Sequence, residues 1–148
     1  MTKPRILLAD DHSEVLDALQ ALLDELGEVV GRVTDGQALM EAAQRLKPDL
    51  ILTDISLPKL NGLAATHALQ TCAPKSKVII LTVHQESAYV SLAFDAGACG
   101  YLLKRTAVAE LPQAVLRVFA GDRYIGQGVR EGQAFADEGE APIRRPEL

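Results

Sequence analysis

Five runs of nearly unbroken Val, Ile, Leu and Ala constrain this chain more than any other feature. They fall at residues 5–9, 28–33, 49–53, 77–83 and 100–103. None alternates apolar with polar residues, the pattern of parallel strands covered on both faces. Between them the period changes. Val15, Leu16, Leu19, Leu22, Leu23 and Leu26 lie on one helical face, and Gly27 offers a left-handed stop. Leu39, Ala42, Ala43 and Leu46 repeat the spacing until Lys47-Pro48 ends it. Further helices are predicted over 62–72, 87–96 and 108–120, the last burying Leu111, Val115 and Val118. Pro112 removes one backbone donor in that segment, which predicts a late start or a bend.

Five strand–helix units predict an α/β fold of the flavodoxin-like, doubly wound (βα)5 kind. Its sheet would have five parallel strands in the order 2-1-3-4-5. Residues 1–121 read as that one domain. Residues 122–148 contain GQGVREGQAFADEGEAP, Gly- and Glu-rich without an apolar period, and read as a flexible tail or linker. In doubly wound sheets ligands bind beyond the carboxyl ends of the strands, so chemistry is to be sought at that rim.

Composition narrows the classes. With 48% hydrophobic residues in 148, the chain can bury one real core. A net charge of −5 suits it poorly to gripping phosphate backbones by itself. No apolar run approaches the roughly 20 residues of a bilayer span, and nothing in the sequence looks like a signal peptide, so a cytoplasmic protein without a membrane partner is expected. Cys72 and Cys99 read as reduced core thiols. His12, His67 and His84 lack ligand spacing.

The strand ends carry the chemistry. Strand 1 ends in Asp10 and Asp11, strand 3 in Asp54, strand 4 in Thr82 and strand 5 in Lys104. Singly, each has an ordinary explanation. Asp11 and Glu14 have capping-box spacing, Asp54 could open a turn, Thr82 suits a strand, and a lone lysine is usually solvated. Together they converge on one edge of the sheet. Two carboxylates about 4 Å apart repel by roughly 4 kcal/mol at an effective dielectric near 20, so the acidic set asks for a cation. Mg²⁺, which takes a few carboxylate oxygens and several waters, fits an open crevice. With it, a carboxylate could attack phosphorus and become an aspartyl phosphate. Asp54, on a central strand and followed by the roomy LPKLNG loop, is the expected acceptor. Thr82 and Lys104 would share the charge on the phosphoryl oxygens.

These residues carry a resemblance over positions 4–121. LLADDH, DLILTDISLPKLNG, VIILT and DAGACGYLLK are similar to the receiver domains of two-component response regulators. The DDH triplet, and GYLLK without a following Pro, are most similar to the LuxR/FixJ-type subgroup. The resemblance implies that Asp54 takes a phosphoryl group from the phosphohistidine of a sensor histidine kinase. It implies Mg²⁺ held by Asp11 and Asp54 side chains and the Ser56 carbonyl, with Asp10 acting mostly through water. It also implies that Thr82 and Lys104 contact the phosphoryl group, and that Tyr101 turns inward when Thr82 is drawn to it. The face of helix 4, strand 5 and helix 5 would then change its partner, and homodimerisation on phosphorylation is compatible with the family. The chain departs at Lys104-Arg105, where many receivers have Lys-Pro and a cis bond.

Two other outcomes compete. Aspartate-nucleophile phosphohydrolases also combine Asp, Thr or Ser, Lys and Mg²⁺, but their nucleophile lies in an Asp-x-Asp pair on the first strand, and Asp54-Ile55-Ser56 lacks the second acid. The expectation is therefore a switch and not an enzyme. LuxR/FixJ-type receivers usually precede a helix-turn-helix domain. The expected output is transcription through such a domain lying beyond this sequence, so DNA would be met only through it. A stand-alone receiver acting by protein contact is the alternative.

Overall fold

The structure, a computed structural model, describes residues 3–129. Strands β1 (Arg5–Ala9), β2 (Glu28–Val33), β3 (Leu50–Thr53), β4 (Lys77–Thr82), β5 (Gly100–Leu103) and β6 (Tyr124–Ile125) form one sheet in the order β2-β1-β3-β4-β5-β6. All five ladders are parallel. Helices α1 (Ser13–Leu23), α2 (Gly36–Leu46), α3 (Gly62–Cys72), α4 (Ser87–Asp95) and α5 (Ala107–Phe119) cover its faces, and a single 3-10 turn, Lys104–Thr106, leads into α5.

The unbroken apolar runs resolve into two cores. Leu7, Ala9, Ile51, Val78, Ile80, Tyr101 and Leu103 point to the side of α2, α3 and α4. Their neighbours Ile6, Leu8, Leu50, Leu52, Ile79, Leu81 and Leu102 point to the side of α1 and α5. Period-two backbone geometry thus requires an apolar residue at every position of a strand roofed on both sides. The helices are anchored locally. Asp35 and Asn61 accept the Ala38 and Ala64 amides as N-caps of α2 and α3, and the Arg5 guanidinium donates to the Leu46 and Lys47 carbonyls at the end of α2.

The sheet has six strands where the sequence predicts five. β6 is two residues long and pairs only with Gly100 and Tyr101, too short a stretch to leave a periodic signal. It lies within the segment read as a tail, as do helical residues 127–129 and fully buried Val129. The rest of that segment, 130–148, lies outside the described residues. β2 is a half-exposed edge strand rather than one covered twice. Gly27 is not left-handed; a Cβ there would meet the Pro4 carbonyl oxygen at 2.5 Å, and this close approach explains the glycine. Helix α5 starts at Ala107 with Pro112 inside it, so no late start occurs. Cys72 is exposed at the last turn of α3 and Cys99 half-buried, so neither is a fully buried core thiol; both are free. Among the described residues no helix is long and apolar enough to cross a membrane.

Candidate functional site

Strand register assembles the rim. Ala9 pairs with Thr53, Thr53 with Ile80, and Thr82 with Leu103. Asp10 and Asp54 therefore emerge at the same level, while β4 and β5 run two residues further, to Thr82 and Leu103, before Lys104. The Asp54 amide continues the ladder by donating to the Ala9 carbonyl at 3.1 Å. Asp10 and Asp54 are buried there, with side chains 2% and 8% exposed. The Lys104 ammonium bridges them, 2.7 Å from Asp10 Oδ2 and 2.9 Å from Asp54 Oδ2. The other oxygen of Asp54, Oδ1, accepts the Ile55 amide at 2.7 Å and the Ser56 amide at 3.3 Å. Ser56 itself is exposed.

The Lys104 ammonium, seated between Asp10 and Asp54, offsets part of the repulsion between their carboxylates. Asp11 stands apart from that bridge. It is exposed, and its Oδ1 lies 3.0 Å from His12 Nδ1, which is also 3.2 Å from Asp10 Oδ1. Asp10, Asp11 and His12 each present a ligand atom within 4.8 Å of the others. The His12 ring thus lies against both acidic side chains. The capping reading of the pair fails. His12 is the N-cap of α1 and makes no side-chain cap bond, while Asp10 Oδ1 accepts the backbone amide of His12 itself, just ahead of the helix, at 2.9 Å.

Thr82 and Tyr101 form a second group, joined through His84. Thr82 is fully buried and its Oγ1 accepts the His84 amide at 3.2 Å. Tyr101, also fully buried, donates its hydroxyl to the His84 carbonyl at 2.7 Å. Tyr101 is therefore inward in this structure. The His84 ring stacks on Tyr89, with centroids 4.4 Å apart. Where the family has a proline, Arg105 donates to Gln85 Oε1 at 2.9 Å, and no cis peptide occurs among the described residues.

Electrostatics follow from these contacts. Burial alone would lower the Lys104 pKa, but its hydrogen bonds to Asp10 and Asp54 outweigh that and hold it above the ordinary lysine value. Burial pushes the Tyr101 phenol far above its usual range, and the charge of Glu86 acts in the same direction. Both groups keep a proton in the folded state that the unfolded chain gives up. Their contributions are therefore complete below about pH 10, the unfolded phenol value, and are lost as pH rises beyond it. Urea midpoints measured from pH 8 to pH 11 are expected to fall above about pH 10. A flat profile contradicts this. Tyr101→Phe, which has no phenol proton, should fall less steeply.

A parallel, doubly wound sheet with a lysine clasping two buried aspartates at its carboxyl rim defines a receiver-type signalling domain. Residues 6–116 match the response regulator receiver domain family. The chain belongs to that family. It is 36% identical over 133 residues to the response regulator GacA of Pseudomonas viridiflava, covering 88% of this chain and 62% of GacA. A LuxR-family two-component response regulator from Aurantimonas sp. SI85-9A1 superposes with a TM-score of 0.87 at 30% identity, covering 94% of this chain and 100% of that one. RcsB, solved as two dimers bound to two parallel DNAs, superposes with a TM-score of 0.81 at 27% identity, covering 88% of this chain and 67% of RcsB. The chain spans about three-fifths of the length of the curated relatives it matches. It is a receiver domain of two-component response regulators, a class of phosphorylation-dependent signalling switches rather than enzymes, and this disposes of the phosphohydrolase alternative.

Proposed function

We propose that Asp54 is the phosphoacceptor and that its phosphorylation by a sensor histidine kinase is the input this chain reads. The observation that carries this reading is the Lys104 ammonium seated between Asp54 Oδ2 and Asp10 Oδ2 at the carboxyl rim. It supplies the charge that a phosphoryl group on Asp54 would need. The bond formed is between an Asp54 carboxylate oxygen and phosphorus; the bond broken joins phosphorus to a nitrogen of the kinase's histidine, which keeps the electron pair. Asp54 Oδ1 is held by two backbone amides, which leaves Oδ2 as the attacking oxygen. Lys104 then transfers its hydrogen bond from Oδ2 to a phosphoryl oxygen. The Thr82 oxygen accepts from His84, so its own hydroxyl proton remains to be donated to the phosphoryl group.

Asp10 and Asp11, which lie within ligand distance of each other, offer the hard carboxylate oxygens that Mg²⁺ prefers. Asp11, Asp54 and the Ser56 carbonyl would hold it, with Asp10 contributing mostly through water. Bound there, Mg²⁺ supplies charge neutralisation at the carboxylates and the incoming phosphoryl oxygens. Thr82 and Tyr101, coupled through His84, form the switch that alters the face of α4, β5 and α5. The output we propose is control of transcription in the cytoplasm, through homodimerisation and a C-terminal DNA-binding domain beyond this sequence; that the matched DegU of Brevibacillus brevis is a transcriptional regulatory protein supports this.

Lys104→Ala separates the lysine's electrostatic role from that of a metal. Without Mg²⁺ the variant leaves two buried carboxylates facing each other, and a loss of about 2 kcal/mol in urea denaturation is expected, discounted from a fully buried pair because the lysine is partly exposed. Millimolar Mg²⁺ should stabilise the variant more than the wild type. Equal Mg²⁺ responses, or none, would remove the metal from this reading.

A further inference from the structure

We propose that residues 124–129 form a strap through which the state of the site leaves the receiver, docking on the β5 edge more firmly when Asp54 is phosphorylated. This inference rests on the reading of Asp54 as the phosphoacceptor. Three sets of contacts tie the strap to the switch. First, the strap is built on Tyr101 itself. Tyr101 pairs with Ile125, and its carbonyl accepts the Gly126 amide at 2.8 Å, while Cys99 accepts the Tyr124 amide at 3.0 Å. Second, Val129 is fully buried in the same apolar cluster as Tyr101, Leu103, Val90 and Ala93. The strap's end thus packs into the same core as the inward Tyr101 ring. Third, Arg105, bonded to Gln85 of the loop that carries His84, lies beneath the strap. A Cβ at Gly128 would come 3.3 Å from Arg105 Nη2.

A separate latch fixes the strap to α5. Glu110 Oε1 accepts both the Tyr124 hydroxyl at 2.7 Å and the Gln127 amide at 2.9 Å. Even so, a two-residue strand on the sheet edge is its weakest element, the kind that opens locally without global unfolding. Such an element can be biased. The Tyr101 hydroxyl reaches the His84 carbonyl, and the His84 amide reaches Thr82. A phosphoryl group that engages Thr82 therefore favours the inward Tyr101, and with it the docked strap. Linkage makes the effect reciprocal: loosening the strap disfavours the inward ring.

Amide hydrogen exchange at Tyr124 and Gly126 tests this, in the 148-residue chain with and without acetyl phosphate and Mg²⁺, with phosphorylation counted by intact mass. Labelled wild type should exchange both amides at least about fivefold more slowly, the low end of usual coupling strengths. Asp54→Asn should show no change. Glu110→Ala should still be labelled on Asp54, to no more than the wild-type extent, yet exchange both amides about tenfold faster before labelling, as expected for losing the latch's hydrogen bonds. Labelling of wild type without slower exchange overturns the strap alone. Unchanged basal exchange in Glu110→Ala overturns the latch. Absence of labelling overturns the phosphoacceptor reading and the strap with it.

Discussion

Asp54→Asn is expected to lose all labelling by acetyl phosphate in the presence of Mg²⁺, down to the background of untreated protein. An amide oxygen is not a nucleophile toward phosphorus, so the loss is one of chemistry rather than of fold. The structure says why the fold should survive. Asn can keep its Oδ1 on the Ile55 and Ser56 amides, at 2.7 and 3.3 Å in the wild type. Its amide nitrogen then faces Lys104 in place of Oδ2, and that one bond is lost. Lys104 retains Asp10 at 2.7 Å. The cost should be about 2 kcal/mol, the scale of one lost hydrogen bond to a charged group. Intact mass and a urea titration on the same preparation read the two effects apart. A variant labelled to the wild-type level contradicts the assignment of Asp54. A variant that is unlabelled because it is unfolded contradicts the account of how Asp54 is held.

Gly62→Ala should be the most damaging small substitution near the site. A Cβ at Gly62 would lie 1.9 Å from the Asp54 carbonyl oxygen, 2.9 Å from its carbonyl carbon and 3.0 Å from Ile55 Cα. All three are backbone atoms, so no side chain can swing aside. The Gly62 amide also donates to the Ile55 carbonyl at 2.8 Å, which pins the first turn of α3 against the loop that follows Asp54. Either α3 lifts or Asp54 moves. A loss of about 3 kcal/mol in urea denaturation is expected, at the upper end of ordinary overpacking because neither partner is flexible. Labelling of the folded fraction should slow as well. A change within about 0.5 kcal/mol, the range of neutral surface substitutions, would mean that the contact is not tight.

Much of the fold was legible because its constraints are local and periodic. The runs at 5–9, 28–33 and 100–103 have the observed strand bounds, and the third helix has its observed bounds, 62–72. Topology then brought Asp10, Asp54, Thr82 and Lys104 to one rim, since each follows or ends a parallel strand. What escaped depends on which partner a side chain chooses. β6 is too short to carry a period. β2, which the predicted strand order already places at the edge, is half-exposed, and its apolar content does not reveal that. Spacing cannot say that Lys104 alone spans Asp10 and Asp54, nor that the His84 backbone lies between Thr82 and Tyr101. Those contacts arise from packing between elements distant in sequence.

The most direct measurement of the central claim is localisation of the phosphoryl group. Wild-type protein treated with acetyl phosphate and Mg²⁺, then reduced with borohydride to trap an acyl phosphate and digested, should carry one modification, on Asp54. A modification on Asp10 or Asp11, or none on any aspartate, would contradict the claim.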